Sequence, residues 1–215
     1  MFIGHYAVGF ASKRAAPRTS LGWLMAAPIF LDILWPLFVL AGIEHVRIAP
    51  GDTAFTPLAF DWYPWSHSLL MTLVWAALFA FLYWQRTHYG RGAAVLALGV
   101  LSHWVLDAIS HRPDLPLAPG SGVRVGLGLW NAPTATMIVE IGMFVAAVWL
   151  YARTTHARDG VGRWGFVVFV LFLLAAYGVD RFSPPPPSVD AVAYAAIALY
   201  VMPVWAGWFD RHRTA

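Results

Sequence analysis

The chain has 215 residues, of which 60% are hydrophobic and only 12% charged, with a mean hydropathy of +0.62. About a quarter of the residues in an average soluble domain are charged, so this composition excludes a soluble globular enzyme and indicates an integral membrane protein. The net charge of +3 lies in short clusters between apolar segments, which argues against nucleic-acid binding, and the absence of cysteine excludes disulfides, thiolate ligands and thiol nucleophiles.

Residues 1–12, MFIGHYAVGFAS, are apolar but too short to cross a bilayer, and their positive flank follows rather than precedes them. This pattern predicts a half-depth helix entering from the inner face, not a cleavable signal peptide. Apolar runs of spanning length follow at roughly 21–43, 65–84, 93–111, 133–152, 164–180 and 190–208. The expected fold is all-α: a polytopic transmembrane helical bundle of about six spans plus the short N-terminal helix. With no internal repeat and no second, polar block, residues 1–215 form one integral membrane domain.

The connections differ in charge. Lys13, Arg14 and Arg18, then Arg86 and Arg91, then Arg153, Arg158 and Arg163, and finally Arg211 and Arg213 fall at alternate connections, while the others hold only Arg47, Arg112, Arg124 and Arg181. By the positive-inside rule the richer side, with the N-terminal basic cluster and the C-terminus, is cytoplasmic in a bacterial-type inner membrane. Trp23, Trp84, Trp149 and Trp164 lie near the inner boundary and Trp62, Trp65 and Trp130 near the outer one. The outer loops 44–64 and 112–132 are long and rich in Gly and Pro; SPPPPS at 183–188 reads as a stiff polyproline corner. Their expected role is to roof the outer side, and the glycine-rich VGLGLWN at 125–131, which lacks the lysine and strand–turn–helix setting of a phosphate cradle, is expected to fold over the site.

Polar residues inside the spans carry the chemistry. His103, Asp107 and His111 recur at four-residue spacing and so share one face of a helix. A rise of about 1.5 Å per residue places Asp32 about 16 Å, His103 about 15 Å and His5 about 12 Å from the inner face, with Glu140, Asp107 and His67 about 20 to 24 Å from it. Six ionisable residues from five segments thus converge, with no Lys or Arg among them. Ionised carboxylates cost several kcal/mol each in hydrocarbon unless paired. Histidines, protons or a bound cation must neutralise them, and imidazole with carboxylate suits zinc first, with manganese or iron as alternatives.

The ordered set formed by His5 in FIGHYAVG, Asp32 in IFLDIL, His67 and Ser68 in PWSHSL, and His103 and Asp107 in LSHWVLD resembles the membrane-bound metal-dependent hydrolases, a family also described as LexA-binding and inner-membrane-associated. The resemblance covers mainly residues 1–111. Two parts of the family pattern are missing: Leu31 and Leu34 stand where a proline and a second acid would lie, and Trp62, Tyr63 and Pro64 replace a His-Arg-Gly. The resemblance implies His5, Asp32, His67, His103 and Asp107 as metal ligands.

Together these observations lead to the expectation of a membrane-embedded metal-dependent hydrolase acting on a lipid or amphiphilic substrate through activated water. Asp107, Ser68 and Glu140 are the candidates for catalysis, Glu140 as base or extra ligand unless Arg124 or Arg112 pairs with it. The alternative from another class is a cation or proton transporter using the same buried cluster; bis-histidine haem ligation by His67 and His103 is a third. His111 is expected at the water boundary beside Arg112 and Asp114, Asp180 and Arg181 as a solvated cap, and His45, His88, His156 and His212 at the surface. Nothing in the sequence specifies an oligomeric state.

Overall fold

A computed structural model describes all 215 residues. The chain is a helical membrane bundle in which five helical segments are long and apolar enough to cross a membrane: Leu69–Thr87, Gly90–Ser110, Pro133–Thr154, Val161–Phe182 and Val189–Asp210. The expected sixth span, 21–43, is broken. Helix α1 (Ile3–Ala15) is followed by the short α2 (Leu21–Ala26) and, after a turn, by α3 (Phe30–Leu40). Pro28 explains the break, since it has no amide hydrogen and its ring clashes with the preceding helical turn.

Helix α1 runs through the middle of the bundle, burying Ile3, His5, Tyr6, Ala7 and Phe10. Its 13 residues extend about 20 Å, roughly two-thirds of the hydrocarbon thickness, as expected for a half-depth element. Against it pack α2, α6 (Gly90–Ser110), α7 (Pro133–Thr154) and α8 (Phe166–Phe182), while α5 (Leu69–Thr87) packs on α6 and the short α4 (Pro64–His67) on α3 and α5. The last spanning segment bends at Leu199–Tyr200 into α9 (Val189–Ala198) and α10 (Val201–Asp210), and the Tyr200 hydroxyl at the bend donates to the Ile33 carbonyl of α3. Gly99 on α6 lets that helix press against the α2–α3 break, where an added Cβ would come within 3.0 Å of Ala27.

The loops 44–64 and 112–132, expected on the outer side, are more ordered than their composition suggests. An antiparallel hairpin, β1 (His45–Ile48) with β2 (Leu58–Trp62), forms in the first, and a shorter pair, β3 (Leu115–Pro116) with β4 (Arg124–Val125), in the second. On the first hairpin, hydrogen bonding from Arg47 holds the Asp61 carboxyl below the usual carboxylate range. Gly126 has φ +159°, and a Cβ there would lie 2.0 Å from the Arg112 carbonyl oxygen. Only glycine lets this loop close onto the end of α6.

The opposite end of the bundle is sealed. Phe10, Tyr151, Phe166, Phe169 and Phe209 interlock there, and Asp210 accepts from Lys13 Nζ (2.7 Å), the Leu21 amide (2.9 Å) and the Tyr151 hydroxyl (2.8 Å). Lys13, counted in the N-terminal basic cluster, is buried and neutralised. Removing one member of such a pair strands the other charge. Asp210→Ala is expected to lower stability by about 3–5 kcal/mol, and the Lys13→Met/Asp210→Leu double variant by much less; denaturant unfolding in detergent measures both.

Candidate metal centre

The site lies between α1, α3, α4 and α6, at the end of the bundle away from that seal. His103 and Asp107 face each other along α6, with His103 Nε2 3.0 Å from Asp107 Oδ2. His5 on α1 reaches the other oxygen, Nε2 to Oδ1 at 3.2 Å, and its ring stacks on His103 with centroids 3.9 Å apart. The Met1 amino nitrogen also lies 2.7 Å from that oxygen. From α4, His67 brings Nε2 to 3.2 Å from His103 Nε2 and 3.5 Å from Asp32 Oδ1 on α3. All five residues expected as ligands thus meet. Their donor atoms form two overlapping groups, His5–His103–Asp107 and Asp32–His67–His103, each within 4.8 Å. Asp32 is the open side, its side chain 48% exposed, whereas the other four are buried.

The partners of the outer ring nitrogens fix the tautomers. His103 Nδ1 lies 2.8 Å from the Pro28 carbonyl oxygen at the helix break. A carbonyl only accepts, so Nδ1 carries a hydrogen, and in the neutral ring Nε2 presents a lone pair. For His67, Nδ1 lies 2.7 Å from Ser66 Oγ, and that hydroxyl gives its one proton to Glu44 Oε2 at 2.6 Å. Nδ1 therefore donates to Ser66, and Nε2 is again bare. Glu44 is fixed in turn by the amides of Trp65 and Ser66, both at 2.8 Å.

His111 is not at a water boundary, contrary to expectation. It is 3% exposed, with Nδ1 donating to Asp114 Oδ1 at 3.0 Å, the Trp130 ring 4.2 Å away and Nε2 3.8 Å from Asp107 Oδ2. The loop folding back over α6 buries it, through bonds from Leu127 N to the Ala108 carbonyl and from Gly128 N to that of His111. Tyr63 donates to the same Asp114 oxygen at 2.8 Å. Trp130, expected at the outer interface, is turned into the cavity beside His111.

Glu140 and Ser68 stand apart from the donor groups. Glu140 is fully buried on α7, and its Oε2 accepts the Phe2 and Gly4 amides at 2.8 and 3.2 Å, satisfying the start of α1. Its Oε1 has no partner. Neither arginine pairs with it: Arg112 bonds Asp52 and Asp114, and Arg124 bonds the Asp61 carbonyl. Ser68 caps α5, its Oγ accepting from the Met71 amide at 3.2 Å. The serine that touches His67 is Ser66.

A cavity of about 790 Å³ opens from the cluster; Asp32, His67 and Asp107 line its floor, Glu140 and Trp130 its side, and the 50–58 loop, the polyproline corner and α9 its outer wall. Asp180 and Arg181, at the end of α8, line it as well; Asp180 is exposed as expected, whereas Arg181 is half-buried.

Fold and site define a polytopic helical membrane protein that gathers histidines and carboxylates into its interior at one end. Residues 64–183, more than half of the chain, match the YdjM inner membrane protein family, and the chain belongs to that family as a multi-pass inner membrane protein. No curated protein and no solved structure matches it. The matched stretch contains His67, His103, Asp107 and Glu140 but begins after His5 and Asp32.

Sequence reading missed Glu44, Ser66, Tyr63, Asp114 and the Pro28 carbonyl. Pro28 inside an apolar run was the available signal, because it marks an unwound turn whose carbonyl can serve a side chain. Glu140→Ala is expected to leave the first amides of α1 without an acceptor and to raise their hydrogen-exchange rates about tenfold, equivalent to about 1.4 kcal/mol; exchange mass spectrometry of the detergent-solubilised protein reads this directly.

Proposed function

We propose that the protein is a membrane-embedded metal-dependent hydrolase acting on a lipid or other amphiphile. The observation that carries this reading is the facing pair of Nε2 atoms on His67 and His103, 3.2 Å apart and bare when both rings are neutral. Two lone pairs at that distance repel unless a proton or a cation lies between them. Each is aimed by a partner on its other nitrogen, the arrangement that orients metal-ligating imidazoles.

The spacings fit an ion. Bonds of about 2.1 Å place neighbouring tetrahedral donors about 3.4 Å apart, and the spacings of the His67 and His103 Nε2 atoms from each other and from Asp32 and Asp107, 3.0 to 3.9 Å, scatter around that value. These four would hold the metal, with His5 on the second oxygen of Asp107. Zinc suits the set first, and manganese or iron also fit. A metal bound there activates water and polarises the scissile group. The chain itself holds the amphiphile in the apolar cavity, keeps Asp32 toward the open side and offers the free Oε1 of Glu140 as proton acceptor. By the positive-inside rule the cavity faces the outer leaflet, with the basic clusters and C-terminus cytoplasmic.

A cation or proton pathway needs a second opening, and the aromatic and Lys13–Asp210 packing favours hydrolysis by leaving the far end closed. Haem is disfavoured because the His67–His103 contact leaves no room for a porphyrin between the two nitrogens.

Elemental analysis of purified protein is expected to give near-stoichiometric zinc, manganese or iron in the wild type and none in His103→Ala/Asp107→Ala; an empty wild type after metal supplementation would sink the proposal. Ser66→Ala is expected to keep the fold but weaken metal binding 10–100-fold by freeing His67, measured by competition with a chelating dye.

A further inference from the structure

One charged group in the cavity has no part in the chemistry above. Arg181, at the end of α8, lines the cavity and is the only lysine or arginine that does. It forms no ion pair and no hydrogen bond, its Nε is buried without a partner, and its guanidinium lies against the rings of Phe55 and Phe182, 5.1 and 5.6 Å from their centroids. The other arginines of this end are all engaged: Arg47 with Asp61, Arg112 with Asp52 and Asp114, Arg124 with the Asp61 carbonyl. Asp180, next in the chain and also lining the cavity, comes within no ion-pair distance of it.

Contact with aromatic faces leaves the N–H edge of a guanidinium uncommitted, and that edge is a rigid fork matched to the oxygens of phosphate or carboxylate. Beside it, Ala191, Val192, Ala195 and Ala196 of α9 give the cavity an apolar wall of small side chains. A neutral ligand would leave the buried Nε unsatisfied, at a cost; a soluble anion would leave the wall uncovered.

We propose that Arg181 is a specificity-determining residue that binds the anionic headgroup of an amphiphile whose chain lies along α9. The inference rests on the hydrolase reading for the idea that this amphiphile is the substrate. The binding step stands without it.

The test measures binding, not turnover. Detergent-solubilised wild type, Arg181→Gln and Arg181→Lys, each also carrying His103→Ala/Asp107→Ala to abolish the metal centre, are titrated with dihexanoyl phosphatidate, dihexanoylglycerol and inorganic phosphate by isothermal calorimetry. Expected are binding of the phosphatidate weakened about tenfold by Arg181→Gln and partly restored by Arg181→Lys, unchanged binding of the neutral lipid, and inorganic phosphate much weaker than the phosphatidate. Equal losses for both lipids, or none, would overturn the proposal. Inorganic phosphate binding as tightly as the lipid would overturn the amphiphile. Because the metal ligands are absent from these variants, failure of the hydrolase reading leaves the comparison intact, and failure of charge discrimination leaves the metal analysis intact.

Discussion

Two imidazole nitrogens, His67 Nε2 and His103 Nε2, face each other at 3.2 Å with their protons held on the far side of each ring, and much of the architecture serves to hold them there. Left alone, either ring would turn to donate to the other or to Asp107. The Pro28 carbonyl and the Ser66–Glu44 pair prevent this by engaging each Nδ1, and each of those partners depends on a local feature of the backbone. Pro28 offers its carbonyl because the helix breaks at that residue. Glu44 is in place because its carboxylate accepts the first amides of α4, so the charge that orients Ser66 also starts the helix bearing His67. A local rule of helix formation, obeyed or broken, is in each case what aims a functional atom.

The same economy governs the buried carboxylates. In hydrocarbon no water is available to solvate them, so each must find donors within the chain. Glu140 is met by two amides at the start of α1, and Asp210 by an ammonium, an amide and a phenol. Asp107 meets the Met1 ammonium and His5 on one oxygen and faces His103 with the other, and Asp32 faces histidine nitrogens and open cavity. Asp210 is satisfied entirely by groups of the chain and closes the bundle. On the Asp32–His67–His103 side the two Nε2 atoms and the Asp32 carboxylate meet only one another and Asp107, which separates a structural knot from the site proposed here for a metal.

What the sequence disclosed follows from the range over which each interaction acts. The i, i+4 pair His103/Asp107 was legible because helical geometry alone brings the two together, and His5 and Asp32 joined them through similar depth, whereas His67 entered through the resemblance. The break in 21–43 was not legible from hydropathy, because proline in an apolar run changes the backbone without changing the average. His111 was misplaced for a different reason: four residues beyond Asp107 it does reach the end of the helix, but a loop closed by Gly126 covers that end with backbone and Trp130. Ser68 was preferred over Ser66 by analogy with a motif. The difference depends on whether a hydroxyl faces a helix start or an imidazole, and only the turn between α4 and α5 decides that.

Depth also divides the cavity's charges. Its floor gathers two carboxylates and three histidines, with the Met1 ammonium against one Asp107 oxygen as the only fixed positive charge; its upper wall holds a guanidinium that lacks an anion. Were the two sets in contact they would neutralise each other and the bundle would gain an ion pair in place of a cavity. Asp32 stays half-exposed and Arg181 unpaired because α3 and α8 are held on different sides of the opening, the first against α9 through Tyr200 and the second ending in the polyproline corner. An amphiphile that brings an anion to one set and a reactive ester or amide to the other, with its chain along the alanines of α9, would satisfy both without requiring the helices to move.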